Sequence, residues 1–307
     1  MKNRTWTLAV LSLLALRLAS GASIDREGIE HSIESRIGKF IGQVYVFAKN
    51  LSTGEEYSYH GDEPVRTAST IKLPIMVECF FQAKEGRLKW DERIRVAPDE
   101  KVSGSGVLTE LSDNVDLPLR DLMHLMIVVS DNTATNLILN RVTGDDVNAR
   151  MEKLGLTQTR NMRKILGDGN QLKSEPSGIT KEGAKPENKR WGLGRSTPHE
   201  MVTILDKLYR GELVDAESSR EMIKVLKRQQ YHEGIARSMN GRIDIASKSG
   251  ALDHLRSDVG IVYTASGPIA MAITVENIQQ PDWSVDNPGH LLISSISNIL
   301  ISELGRK

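Results

Sequence analysis

Three short segments of this sequence set hydroxyl and amine side chains at spacings that suit nucleophilic and proton-transfer chemistry. Ser69 and Lys72 stand three apart in TASTIKLPIM, where an apolar helical run begins. On a helix they share one face, so a hydroxyl and an amine meet at its first turn. The helix dipole and the free backbone N–H groups there favour developing negative charge. Ser130, Asp131 and Asn132 follow the apolar run MIVV and precede TATNLIL. Lys248, Ser249 and Gly250 fall inside a predicted strand, with a glycine that admits close backbone approach. Taken singly, each has an ordinary reading: a surface lysine, a helix N-cap and an edge-strand lysine.

The elements that must position these groups are legible in outline. Residues 25–39 carry Ile29, Ile33 and Ile37 at helical spacing, and QVYVFAKNLSTGEEYSYH alternates around Asn50–Gly54 as a β-hairpin. From residue 69 to about 230 the pattern is helical, as in LRDLMHLMIVV and PHEMVTILDKLYRG. Three strands return near the end, in RIDIASKSGAL, DVGIVYTA and PIAMAITVEN, before a final helix in HLLISSISNILISELG. Strands at both ends imply one antiparallel sheet, flanked by helices, with an all-α lobe inserted into it. This α+β reading divides the chain into an α/β lobe, 23–68 and 235–307, and a helical lobe, 69–234, with a cleft between them. Residues 164–196, rich in Gly, Pro, Lys and Glu, form one long irregular loop.

Composition narrows the class of partner. With 40 basic and 40 acidic residues the formal net charge is zero, which argues against nucleic acid or an anionic membrane as the main partner. Lys2 and Arg4, an apolar stretch Trp6–Leu16 and the small residues Ala19, Ser20, Gly21, Ala22 and Ser23 read as an export signal over 1–22. A mature chain with no transmembrane segment, periplasmic or secreted and acting as a monomer, is expected. The single cysteine, Cys79, lies on the apolar helix and reads as a buried structural thiol. The seven histidines show no ligand spacing, so neither a metal nor another cofactor is expected.

Together the three segments, in this order and on these element types, are the set of class A β-lactamases and penicillin-binding proteins. The sequence resembles the class A β-lactamase family along nearly its whole length after the signal. GSGVL at 104–108, the SDN-T-A-x-N-L run at 130–137, the LG…TR stretch at 154–160 and STPHEM at 196–201 add to the likeness. Ser249 stands where threonine is usual and keeps the hydroxyl.

The resemblance implies an acyl hydrolase acting on β-lactams, or a peptidase acting on the peptidoglycan stem peptide. A third possibility is a sensor that stays acylated. Ser69 is then the nucleophile, Lys72 its base or proton relay, and Ser130 the relay to the leaving nitrogen. Asn132 would hold the substrate's side-chain amide, and Lys248 and Ser249 its carboxylate. The N–H groups of Ser69 and Ala251 would form the oxyanion hole, and Asp131 would organise its own loop. Arg256 is either a further carboxylate ligand or a surface salt bridge. An ordinary lysine near pKa 10.4 is neutral in only about one molecule in two thousand at pH 7. Burial and the second cation, Lys248, would make Lys72 a usable amine.

One element of the family pattern is missing. Gap-free alignment of LGLTQTRNMRKILGDG puts Ile165 where the deacylating glutamate belongs. Asp168, Glu175 and Glu187 are the loop carboxylates that could replace it. The remaining alternative is no base at all.

Overall fold

The computed structural model describes residues 26–168, 178–239, 241 and 243–306. Helix α1 (Arg26–Ile37) leads into the hairpin β1 (Gln43–Asn50) and β2 (Glu56–Tyr59). A short strand β3 (Val65–Arg66) precedes a 3-10 turn, Ala68–Ile71, which runs into α2 (Lys72–Lys84). Next come β4 (Arg93–Val96), β5 (Val115–Pro118), α3 (Leu119–Val128), α4 (Asn132–Val142) and α5 (Gly144–Lys153). Strands β6 (Arg160–Asn161) and β7 (Gly194–Ser196) bracket the long loop, and α6 (Pro198–Arg210) and α7 (Ala216–Leu226) follow. The chain closes with β8 (Ile245–Leu252), β9 (Leu255–Thr264), β10 (Gly267–Glu276) and α8 (Pro288–Leu304).

The main sheet has the order β2-β1-β10-β9-β8, antiparallel throughout, so the first strands pair with the last. Its alternation divides the core. Val44, Val46, Met271 and Ile273 face α1 and α8, where Ile29, Ile33, Ile293 and Ile296 cover them. Phe47, Val259, Ile261 and Ala270 face the helical lobe and pack into its cluster. This is the α+β architecture the sequence implied. Four short strands of the middle block, β4 to β7, were not anticipated, because two to four residues are too few to show a period of two.

Local chemistry explains where the elements turn. Asn50 accepts from the N–H groups of Ser52 at 2.9 Å and Thr53 at 3.1 Å, closing the hairpin that the sequence places at Asn50–Gly54. Thr197 caps α6 through the Glu200 N–H at 3.1 Å, and Pro198 opens the helix. Helix α2 is the axis of the helical lobe, with Leu73, Ile75, Met76 and Val77 fully buried. Each such side chain contributes about 1.5–3 kcal/mol. Pro74 falls in the first turn, where its missing N–H costs no helical bond. Cys79 is buried on the same helix, and burial pushes its thiol well above the usual range.

Candidate active site

The 3-10 turn that carries Ser69 begins at Ala68, whose φ of +44° is in the left-handed region. Ser69 is half-buried at the end of this strained entry, and its carbonyl accepts the Lys72 N–H. Lys72 starts α2 and is completely enclosed. Its ammonium donates to the Ser130 carbonyl at 2.7 Å, to Ser130 Oγ at 3.1 Å and to Asn132 Oδ1 at 3.0 Å.

Ser130 is itself held at φ +52°. The capping role open to the Ser-Asp-Asn segment falls to Asp131. Its carboxylate accepts the Ala134 N–H at 2.8 Å at the start of α4, and the Val107 and Leu108 N–H groups at 2.7 and 2.9 Å. Gly106 makes this approach possible, because a Cβ there would lie 2.2 Å from Asp131 Oδ2. Ser130 and Asn132 are thereby freed to face Lys72. Asn132 Nδ2 donates to the Ser103 carbonyl at 2.7 Å, fixing the amide.

The third segment arrives on β8, the free edge of the main sheet. Lys248 is fully buried and donates to Ser130 Oγ at 3.1 Å and to the Ser249 carbonyl at 2.7 Å. Ser130 Oγ therefore lies between two ammonium groups. Gly250 points at the 3-10 turn, and a Cβ there would stand 3.0 Å from the Ser69 nitrogen and 2.9 Å from the Thr67 carbonyl. Only glycine lets β8 approach the Ser69 N–H so closely. Ser249 and Ala251 alternate with these residues at the sheet edge. Arg256, paired in register with Ala251, is 1% exposed, so it is not a surface salt bridge. Its guanidinium donates to the carbonyls of Leu252, Leu255 and Asp282 and lies 4.8 Å from the Trp283 ring centre.

Burial dominates the electrostatics. It holds the Lys72 ammonium well below its ordinary range, reinforced by the Lys248 charge and opposed by Asp131. Burial also brings Lys248 down to about 7, against the pull of Asp258. An amine that can lose its proton and a hydroxyl held between two lysines can pass a proton along this side of the cleft.

Residues 28–304 match the family described as the beta-lactamase enzyme family. The chain belongs to that family. Beta-lactamase L2 of Stenotrophomonas maltophilia is 23% identical over 256 residues, covering 82% of this chain and 77% of that one. Beta-lactamase CARB-3 of Pseudomonas aeruginosa is 24% identical over 83% of this chain and 82% of its own. Among solved structures, the β-lactamase of Sphaerobacter thermophilus superposes with a TM-score of 0.78 at 29% identity, covering 92% of this chain and 98% of that one. PBP-A superposes at 0.74 with 24% identity, over 90% and 96% of the two chains, a likeness of fold.

In this β-lactamase-family chain the loop after β6 carries Ile165 and the acids Asp168 and Glu187 among the described residues. Ile165 is 8% exposed, and its backbone is gripped by Asn136, which sits on α4 about one turn beyond Asn132. Asp168 reaches the lip of the site. Its N–H donates to Ser103 Oγ at 3.0 Å, and a Cβ on Gly104 would lie 3.2 Å from Asp168 Oδ2 and 3.1 Å from Asn132 Nδ2. Glu187 is exposed on a 3-10 turn, Pro186–Trp191, and Glu175 lies outside the described residues. Asn136 is the second asparagine of the SDN-T-A-x-N-L run, but the run by itself does not show which backbone its amide holds.

Proposed function

We infer that the chain is an exported serine acyl hydrolase that opens β-lactams through an ester on Ser69, acting as a monomer. The observation that carries this reading is the placement of Ser130 Oγ 3.1 Å from both the Lys72 and the Lys248 ammonium nitrogens. Neutral Lys72 takes the Ser69 proton as Oγ attacks the lactam carbonyl. The Ser69 and Ala251 N–H groups receive the oxyanion, an interaction whose loss commonly costs 10²–10³-fold in rate. When the C–N bond breaks, Ser130 gives its proton to the departing nitrogen and recovers one from Lys72. Charged Lys248, with Ser249, holds the substrate carboxylate, and Asn132 orients the side-chain amide.

Hydrolysis of the ester then needs a base for water. Among the described loop carboxylates, Asp168 is the one whose position supports that role, beside Asn132 at the lip. Its exposure and the apolar Ile165 both favour slow deacylation over fast. That second feature also supports the peptidase reading, in which the acyl donor is the peptidoglycan stem peptide. Among the described residues no helix is long and apolar enough to cross a membrane. The export signal proposed for residues 1–22 lies outside the described residues and is tested by sequencing the mature N-terminus, expected at Gly21–Ile24.

Incubation with penicillin G followed by mass spectrometry tests the central claim. One acyl adduct on the Ser69 peptide, absent in Ser69→Ala, with many nitrocefin molecules hydrolysed per protein, is the expected outcome. Labelling undiminished by Ser69→Ala removes the nucleophile assignment. Release of D-alanine from a stem peptide without nitrocefin turnover selects the peptidase.

A further inference from the structure

The site contains two buried lysines, yet neither forms an ion pair with a carboxylate within contact distance among the described residues. An enclosed ammonium needs a compensating charge nearby. For Lys72 that charge is Asp131, which acts on it at longer range. For Lys248 the cleft offers only neutral partners, Ser130 Oγ and the Ser249 carbonyl. The compensating group lies on the reverse face of the sheet. Register pairs Lys248 with Val259 and Ser249 with Asp258 on β9, so Asp258 lies on the sheet face opposite the Lys248 side chain, a face that Ser249 shares at the open edge of β8. There it is 2% exposed, and its Oδ2 accepts the Ile235 N–H at 2.9 Å while Oδ1 has no hydrogen-bond partner. A Cβ on Gly234 would lie 2.5 Å from the same carboxylate, so the chain closes tightly over it.

A half-satisfied carboxylate in an apolar sheet face costs stability without a return in packing. Its place opposite Ser249, one register position from the partner of Lys248 and on the other sheet face, gives it one. We propose that Asp258 is a positioning residue that keeps Lys248 charged, from the opposite side of β8, so that the lysine can hold the substrate carboxylate. This rests on the function inferred above for Lys248, but the charge relationship itself does not. The two groups act on one another: Asp258 favours the charged lysine, and Lys248 favours the charged acid, which burial otherwise pushes up to about 7. The other charges felt here are Lys72 across the cleft, whose amine Lys248 opposes, and Glu233 beside the Ile235 turn, which opposes ionisation of Asp258. Arg256, two residues along β9, has its guanidinium committed to backbone carbonyls.

The test is a carbon-13 NMR titration of lysine side chains in the full protein, with Lys248 assigned by its loss in Lys248→Arg. Asp258→Asn keeps an acceptor for the Ile235 N–H while removing the charge. The Lys248 midpoint should fall by about one pH unit or more, the usual effect of one nearby charge. In parallel, KM for a penicillin at pH 8 should rise about tenfold with kcat little changed, because the same pH unit is tenfold in charged lysine. A Lys248 midpoint that stays within a few tenths of a unit overturns the proposal. If Asp258→Asn does not fold, the reciprocal titration decides: in Lys248→Met the Asp258 carboxyl midpoint must rise, and an unmoved midpoint overturns the proposal equally. A protein inactive on β-lactams whose Lys248 midpoint still responds would fail the functional reading alone.

Discussion

The side-chain amide of Asn136 grips the backbone of Ile165 from both sides, donating to its carbonyl at 2.8 Å and accepting from its N–H at 2.9 Å. The clamp fixes the backbone of Ile165, the position that gap-free alignment sets against the family's deacylating glutamate. Ile165→Glu should therefore place a base without remodelling the loop. Steady nitrocefin turnover should rise about 10²-fold or more, the ordinary contribution of a positioned base. Pre-steady-state acylation should change little. Turnover equal to that of the parent would mean that the clamp does not aim this position at the ester.

Removal of the loop acid at the lip is the converse experiment. Asp168→Asn keeps the Ser103 contact made by the backbone N–H and deletes the candidate base. A burst of one equivalent followed by turnover at least tenfold slower than in the parent is expected in stopped-flow hydrolysis. Unaltered steady turnover would discharge Asp168 from any part in deacylation.

Lys72→Arg separates charge from proton transfer. Arginine keeps a positive charge and hydrogen-bond donors at this position, but it does not give up its proton near neutral pH. Acylation by penicillin should slow by about 10²–10⁴-fold. In the parent, acylation should fall as pH drops and the depressed Lys72 amine takes up its proton. An arginine variant with near-parental acylation would exclude Lys72 as the base.

The buried Lys248 also leaves a mark on stability. Folded, its ammonium titrates at about 7; in the unfolded chain it titrates at about 10.4. Between those values the unfolded state binds the extra proton, so stability rises with pH, by at most about 1.4 kcal/mol per pH unit. Lys248→Met lacks this gain. Its stability relative to the parent should be greatest near pH 7 and decline toward pH 10. Urea denaturation at pH 7, 8.5 and 10 measures the gap, and a gap that widens with pH would contradict the burial of this charge.

Gly106→Ala probes the scaffold. Gly106 has φ +106°, and the added methyl would meet Asp131 Oδ2 at 2.2 Å. Loss of about 1–3 kcal/mol of stability is expected from overpacking and backbone strain. Acylation should weaken with it, because Asp131 leaves Ser130 and Asn132 free for the cleft. A melting temperature unchanged from the parent would show that the Gly106–Asp131 approach is dispensable.

Ser69, Lys72, Ser130 and Lys248 were legible because each belongs to a short local pattern, and the sheet because its strands and hairpin turn follow local periodicity. The Asn136–Ile165 clamp joins residues 29 apart through a side chain with no periodic signature. Asp258 interrupts DVGIVYTA at a place where a strand-opening acid reads as solvent-facing, and only the register with β8 puts it opposite Ser249, on the other sheet face from Lys248. Arg256 was open between two exposed roles. Its burial depends on Trp283 and the Asp282 carbonyl, which come from a loop beyond β10.

The pairing of β1 with β10 also governs when this site can exist. Gln43 meets Glu276, and Ser130 Oγ meets Lys248 across 118 residues of sequence. Contacts this remote raise the relative contact order, and chains dominated by them fold slowly. A chain emerging in N-to-C order therefore holds Ser69, Lys72 and Ser130 long before β8 brings Lys248 and closes the Ser69 turn. Until the last hairpin docks, the nascent protein carries a Ser69 turn without β8 packed against it and a β1 edge open to wrong neighbours. Ser130 can meet Lys248 only once the strands that carry β8 have joined β1 through β10.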